Sequence, residues 1–553
     1  MVPARGPSGC WPPQHRSGAA TRAENLPHRP RRVHVSSAEL MKKVVSLCKR
    51  RGFVFQSSEI YGGLKSAYDY GPLGAELKRN LMSAWWREMV HSREDVVGLD
   101  ASIVMHPRVW EASGHLAGFS DPLVDCKVCK ERFRADKAPR ATIGQEAVLS
   151  FPDKGAAKVA EELVLKQFGV QLTRKEKDLH GATAQRDYVC PNCGSPFLSD
   201  ERQFNLMFKS SLGPTDPLGE VAAAIESGSL AGLTGRELRS KIEELTKPSA
   251  VYLRPETAQA MFVQFANIQQ SMSLKIPFGI AQMGKSFRNE ITVEHFIFRS
   301  CEFEQMEMEF FCEPGTDDHW LEYWTQNRLS WWKKYTNDPN KFRLRPHAPD
   351  ELAHYAKGCF DIEYLYPWGW GELEGIANRT NYDLTKHTQY SGQKLDYFDP
   401  EKQQRYVPYV IEPAAGATRG CLVYLLDAYH EEELETPRGE KETRVVMRFH
   451  PELAPIKVGV FPLVKKDGMP ELARKIVQSF LKRGINAKYD EQHAIGKRYR
   501  RHDEIGTPWG LTVDHQSLED QTITIRDRDT MQQRRIPIDG AVEEIEGLLR
   551  ASR

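Results

Sequence analysis

The stretch GKSFRNE (284–290) sets a lysine, an arginine and a glutamate at the end of PFGIAQMGKSF, which reads as a buried strand. After a loop rich in His, Phe and Arg, CEFEQMEMEFF (301–311) alternates in the manner of a second strand. Period two puts Phe303, Gln305, Glu307 and Glu309 on one face and Met306, Met308 and Phe310 on the other. The Met/Phe face is core. If the strand runs antiparallel to the one before it, the opposite face and Arg288 form a single binding floor; a solvated edge strand is the competing reading. Arginine presents a planar fork to phosphate oxygens, Phe303 a stacking surface to a base, and Glu307 a partner to an ammonium group. Such a floor suits a nucleotide together with an amino acid. Neither GxxxxGK[ST] nor GxGxxG after a strand occurs in this region, so phosphate binding by a P-loop or Rossmann turn is unsupported.

A second constellation offers metal chemistry. CKVC supplies Cys126 and Cys129, and CPNC supplies Cys190 and Cys193. Two such knuckles can close a tetrahedral Zn2+ site with sulfur alone, which is a structural and not a catalytic arrangement. The bland alternative is four unpaired cysteines. The sixty-odd residues between the knuckles, including KVAEELVLKQFG, would loop out as helices.

These residues need large elements to hold them. A chain of 553 residues exceeds what one hydrophobic core organises, so several domains are expected. With 76 Lys+Arg against 75 Asp+Glu, any nucleic-acid surface must come from local clustering. No apolar run is long enough to span a bilayer and the N-terminus lacks a secretory core, so the chain reads as cytoplasmic, with no membrane partner. Residues 1–35, rich in Arg, Pro and Gly with Glu24 as the single acid, read as a disordered tail; a transit peptide, or an over-long frame with a later start at Met41, are the alternatives. The segment AELKRNLMSAWWREMVHSR predicts an amphipathic helix burying Leu77, Leu81 and Trp85, with its paired tryptophans as core or as a subunit contact. DVVGLDASIVMHP follows as a strand closed by Pro107, and residues 216–249 read as a helical insert. Near the C-terminus, ELARKIVQSFLKRG predicts a helix burying Leu472, Ile476 and Phe480 and stopping at Gly484, with strands on either side, an α/β unit. Within it GKRYRRHDEIG clusters Lys497, Arg498, Arg500 and Arg501 around Tyr499, either a nucleic-acid contact or a solvated helix face.

Several of these segments carry a family resemblance. FRNE, the returning FEQME, and EPAAGATRG (412–420) heading the apolar helix CLVYLLDAY resemble motifs 2 and 3 of the class II aminoacyl-tRNA synthetases; the helix and strand ending at Pro107 look like motif 1. More narrowly, SEIYGGLKSAYDYGPLG, HPRVWEASGH, YLRPETAQ, GELEGIANRTNYDL and HPELAPIKVGVFPL are similar to the dimeric glycyl-tRNA synthetase family, over roughly residues 38–548. The resemblance implies an α+β fold: an antiparallel-sheet catalytic domain over 36–450 with a helical, zinc-knuckle insertion, then an α/β anticodon-binding domain over 451–553. It implies ATP and Mg2+ as cofactors, glycine and tRNA(Gly) as substrates, and a homodimer. Arg288 and Arg419 would be catalytic, with Arg419 over the adenine face opposite Phe303. The ATP site would take Asn289, Glu290, Phe298, Arg299, Phe303, Glu372 and Leu373, with Gly416, Ala417 and Thr418 from motif 3; Glu372 would be a candidate Mg2+ ligand. Glycine would meet Glu256, Gln305, Glu307, Glu412 and Ala414, with Arg134 beside them. At three positions the family usually differs, with Arg for Cys301, Ser for Ala414 and Asp for Thr418. A synthetase-like protein that binds tRNA or nucleotide without charging is therefore the other reading.

Overall fold

The computed structural model describes residues 31–33, 35–64, 66–127, 129–139, 188–192, 198–214, 216–247, 249–291, 295–353, 355–435 and 441–552. Expectations for residues 1–30, for the helices between the cysteine knuckles and for Cys193 lie outside them. Arg31–Val33, expected within the disordered tail, instead pairs as a strand with Tyr429–Glu435, Arg31 opposite Glu433.

The larger, N-terminal part is organised by helix α1 (Pro72–Trp86) and strand β1 (Val96–Leu99), then β2 (Phe278–Phe287) and β3 (Glu302–Cys312). Next come α2 (Asp317–Lys334), β4 (Phe342–Pro346), β5 (Gly358–Tyr366), β6 (Gly369–Thr380), β7 (Tyr409–Gly416) and α3 (Ala417–Ala428). Seven strands form one sheet in the order β4-β5-β6-β7-β3-β2-β1, antiparallel throughout except for the parallel pair β1 and β2. The alternation expected of 303–310 is realised on β3: Met306, Met308 and Phe310 enter the core beneath the sheet, where α2 and α3 also pack. Helix α1 forms as expected, with Leu77, Leu81 and Trp85 buried against that core. Trp86 lies against Gly98, where an added Cβ would meet its ring at 2.4 Å; only glycine allows helix and strand to approach this closely. The single strand expected to close at Pro107 is two short ones, Val96–Leu99 and Val104–Met105, because each finds a different partner; Pro107 opens the helix Pro107–Ala112, where its missing N–H costs nothing. The insert at 216–249 carries the helices Pro217–Glu226 and Gly235–Thr246.

The C-terminal unit comprises β8 (Val458–Pro462), α4 (Met469–Lys482), β9 (Ala487–Tyr489), α5 (Ile495–Glu504), β10 (Trp509–Val513), β11 (Thr522–Asp527) and β12 (Gln533–Pro537). Its sheet runs β9-β8-β10-β11-β12, parallel around β8 and antiparallel beyond β10. Ile476 and Phe480 enter a separate core while Leu472 is only partly covered, and Gly484 takes the left-handed conformation (φ 71°) that turns the chain after α4. Among the described residues no helix is long and apolar enough to cross a membrane.

Candidate active site

β2 and β3 pair in antiparallel register, Ser286 opposite Phe303 and Gln282 opposite Glu307, so the two strands share one floor. On the far side of β3, Glu307 faces Ala414 of β7, and Ala414 in turn faces Gly375 of β6. A cleft of about 470 Å3 opens over this floor. At one end it is lined by Arg288, Phe303 and Arg419, and at the other by Glu256, Glu307 and Glu412. The sheet therefore brings together residues that the chain separates by more than 160 positions.

At the arginine end, Arg288 donates from Nε to the carbonyl of Pro255 (3.0 Å), and its guanidinium lies between the rings of Phe119 and Phe303, 5.3 and 5.4 Å from their centroids. Arg419 lies 4.5 Å over the ring of Phe298 and donates to the carbonyls of Phe298 and Glu372, with the Glu372 carboxylate at 3.2 Å. The charge of that arginine holds the Glu372 carboxyl below the usual range, although the side chain is half exposed. Glu290 pairs with Arg299 at 3.2 Å, and both line the cleft with Phe298. A β-bulge between Ile362 and Glu363 skips Leu373, which shifts the alternation of β6: Glu372, Gly375 and Ala377 face the cleft. Leu373 points into the core, so the expectation that it completes the nucleotide site is corrected to a packing role for its side chain. Ala417 is likewise fully buried, while Thr418 lines the cleft and accepts the Glu304 N–H through its hydroxyl at 3.1 Å. Asn289 and Cys301 do not line it; the Cys301 carbonyl accepts the Arg288 N–H at 2.9 Å.

The acidic end is built mostly from buried groups. Glu256 is bound by His115 (3.2 Å) and Gln259 (3.0 Å). Burial opposes its ionisation, but His115 and Arg379 outweigh that and hold its carboxyl well below the ordinary value. Glu307 accepts from the Thr257 N–H (3.0 Å), from the Thr257 hydroxyl and from Gln305 (3.4 Å). Burial, reinforced by Glu412 and Glu256, pushes it well above the carboxylate range. Glu412 is raised by burial against the pull of Arg379, whose Nη1 donates to both carboxylate oxygens of Glu412 at 3.0 and 2.9 Å. Glu309, one pleat deeper on β3, is fully buried, and burial followed by the charge of Glu412 raises it too. A pocket holding this many acids is short of positive charge.

Sequence reasoning missed Arg379 and His115. Arg379 pairs with Asp383 (2.7 and 2.9 Å) as well as Glu412, and lies 4.1 Å over the ring of Tyr355. The available signal was Asp383 four residues on in NRTNYD, a spacing at which an arginine and an acid can pair, since such a side chain is buried only when acids meet it. Arg134, expected beside glycine, is instead engaged by Asp121 (2.6 Å) and Asp136 (2.8 Å) and is not in the cleft lining.

Elsewhere, Cys126, Cys129 and Cys190 converge with their sulfurs within 4.8 Å of one another, Cys129 and Cys190 at 3.6 Å. Three thiols at this spacing fit a tetrahedral ion. On α5 the basic cluster divides. Arg498 is 3 % exposed and donates to the carbonyls of His493, Pro462 and Glu491, which corrects the expectation that it faces nucleic acid: it closes the end of β8. Arg501 pairs with Asp490 (2.9 Å) and Arg500 with Glu442 (3.4 Å), Tyr499 packs on Phe461, and Lys497 is exposed.

Residues 457–548 match the family described as Anticodon binding domain. The glycine–tRNA ligase of Treponema denticola is 49% identical over 498 residues, 90% of this chain and 94% of its own length. Those of Acetivibrio thermocellus and Geobacillus kaustophilus are each 46% identical, over 92% and 91% of this chain and 98% and 97% of their own lengths. Among solved structures, the prolyl-tRNA synthetase of Cryptosporidium parvum, complexed with L-proline and AMP, superposes with a TM-score of 0.53 over 94% of this chain and 80% of its own at 11% identity, a likeness of fold. With near-half identity sustained across nine-tenths of the chain, and a class II synthetase fold beneath it, this chain belongs to the glycine–tRNA ligase family.

Proposed function

We propose that the cleft activates glycine with ATP and passes the glycyl group to the 3′ end of tRNA(Gly). The observation that carries this reading is the pairing of two arginines and three acids at opposite ends of one floor. In the first step a glycine carboxylate oxygen bonds to the α-phosphorus, the bond from that phosphorus to the bridging oxygen breaks, and pyrophosphate leaves. In the second, a terminal hydroxyl of the tRNA attacks the glycyl carbonyl and AMP leaves. Arg288, its Nε committed to Pro255, is oriented to meet the α-phosphate, where negative charge grows in the transition state. The adenine fits between Phe303 and Arg419, whose other face is already backed by Phe298. Mg2+, when bound, would neutralise phosphate oxygens, and Glu372, half exposed in the cleft, would hold it.

Glycine has no side chain to read, so selection must act on its ammonium and on the space beside its Cα. Glu256, Glu307 and Glu412 surround the ammonium, whose charge offsets the burial and the neighbouring acids that raise Glu307. Arg379 keeps Glu412 in place without reaching the substrate itself. Cys126, Cys129 and Cys190 would hold a structural Zn2+ that supports the insertion, and the sequence offers Cys193 as the fourth thiol. Lys497 with the neighbouring surface of α5 contacts tRNA. Pairing of two copies finds support in Ile60 and Tyr61, which stand 88 % and 87 % exposed in the short 3-10 helix Glu59–Tyr61, an apolar surface that a second copy would cover. Charging of tRNA(Gly) with labelled glycine, dependent on ATP, tests the whole reading; a folded protein that transfers glycine to no tRNA would overturn it.

A further inference from the structure

Near the cleft wall formed by β4 and β5 lies a group that none of these roles uses. β4 and β5 are antiparallel neighbours with Arg345 opposite Asp361. The chain continues past β4 to His347, whose backbone N–H donates to the carbonyl of Cys359 at 2.9 Å. Alternate residues of the two strands therefore point the same way, and Arg345, His347, Cys359 and Asp361 all line the cleft. The Nε2 of His347 is 2.9 Å from Oδ2 of Asp361. One donor atom from each of His347, Cys359 and Asp361 lies within 4.8 Å of the other two. Across β6, Gly375 faces Asp361 and brings no side chain; a Cβ there would sit 3.9 Å from Oδ1, so the space beside the carboxylate stays open.

We propose that His347, Cys359 and Asp361 form a second metal site, for a zinc-class divalent ion, separate from the cysteine knuckles and open to the cleft. The donor set is the argument. A thiolate, an imidazole and a carboxylate are the ligands a borderline ion takes, and three protein ligands on one side leave the fourth position to water. Around such an ion the donors stand about 3.3 to 3.8 Å apart, a contraction that side-chain rotation supplies. Binding releases the Cys359 proton to solvent as the sulfur–metal bond forms. Arg345 now donates to Asp361 at 2.8 Å, yet it also meets Glu351 at 3.0 Å and Glu363 at 3.1 Å, so it keeps two carboxylates when Asp361 turns to the ion.

The test uses the full chain as purified, under reducing conditions with its resident metal retained, and adds Co2+ alone in steps. Wild type should take up one equivalent with the near-ultraviolet absorption of a thiolate-to-Co2+ charge transfer and the intense visible bands of a tetrahedral ion. Cys359→Ser should lose the charge-transfer band while its circular dichroism and melting stay those of wild type. His347→Gln, which keeps the thiol, should bind Zn2+ at least about tenfold more weakly in competition with a chelating dye. If wild type and Cys359→Ser bind the same number of Co2+ ions with the same spectrum, or if His347→Gln binds Zn2+ as tightly as wild type, the site is overturned. None of these readouts depends on activity.

Discussion

Arg444 of the catalytic half and Asp503 on α5 of the C-terminal unit meet at 2.8 Å with both side chains out of water. Around them Arg444 also binds Glu432 at 2.8 Å and Arg526 reaches Asp503 at 3.0 Å, so a buried charge network joins the two units. Burial works against the Asp503 carboxylate, but Arg444 and Arg526 prevail and hold its pKa below the usual value. Its stabilisation is therefore complete above the unfolded aspartate pKa of about 4 and is lost as pH falls through the lower folded value. Asp503→Asn leaves Arg444 and Arg526 underpaired and should destabilise the protein by about 3 kcal/mol or more at neutral pH, read by urea unfolding. An unchanged midpoint would show that the network holds nothing together.

His502, the preceding residue, gives a second pH signature. It is buried with Nδ1 3.0 Å from the Thr507 hydroxyl, and burial pushes its pKa down to about 4. The unfolded chain takes up a proton near pH 6.5 and the folded one does not, so stability present above that value declines as pH falls from about 6.5 towards 4. His502→Gln should flatten this part of the stability curve, measured by melting temperature at several pH values. A slope identical to wild type would place the proton uptake elsewhere.

The cysteine knuckles make a separable prediction. Purified protein should contain about one structural zinc per chain, and Cys126→Ser should lower both zinc content and thermal stability, because such an ion contributes folding free energy directly. Full stability in metal-free protein would refute it.

Ala414 tests the grip on glycine. It lies on the floor between Glu307 and Gly375, at the position where the family resemblance implies a serine. A hydroxyl there adds a hydrogen bond to a charged group, worth about 1.5 to 3 kcal/mol. Ala414→Ser should lower the Michaelis constant for glycine by roughly ten- to a hundredfold and leave that for ATP nearly unchanged. Equal effects on both substrates would remove Ala414 from the glycine end.

The floor was legible because period two on β3 is local: Phe303 to Glu309 declare their faces without help from the rest of the chain. Leu373 was misplaced because the bulge that turns it inward arises from pairing between β5 and β6 and leaves no mark on the sequence. Arg379 escaped notice as part of the site since Glu412, the acid that ties it to the cleft, is 33 residues away on another strand, while its other partner Asp383 is local. Arg498 failed for the opposite reason: a helix full of arginines reads as a basic surface, and only the carbonyls converging at the end of β8 make one of them interior.

The most direct measurement is ATP–pyrophosphate exchange driven by glycine, with alanine and serine as competitors for the same cleft and Arg288→Ala as the folded control. Wild type should exchange with glycine and barely with the others, and Arg288→Ala should lose about a hundredfold or more while melting like wild type, since a preorganised cation at the growing charge supplies that much. Exchange in Arg288→Ala within a few-fold of wild type would remove this arginine from the chemistry, and a wild-type protein that exchanges no better with glycine than with alanine would contradict the account at its centre.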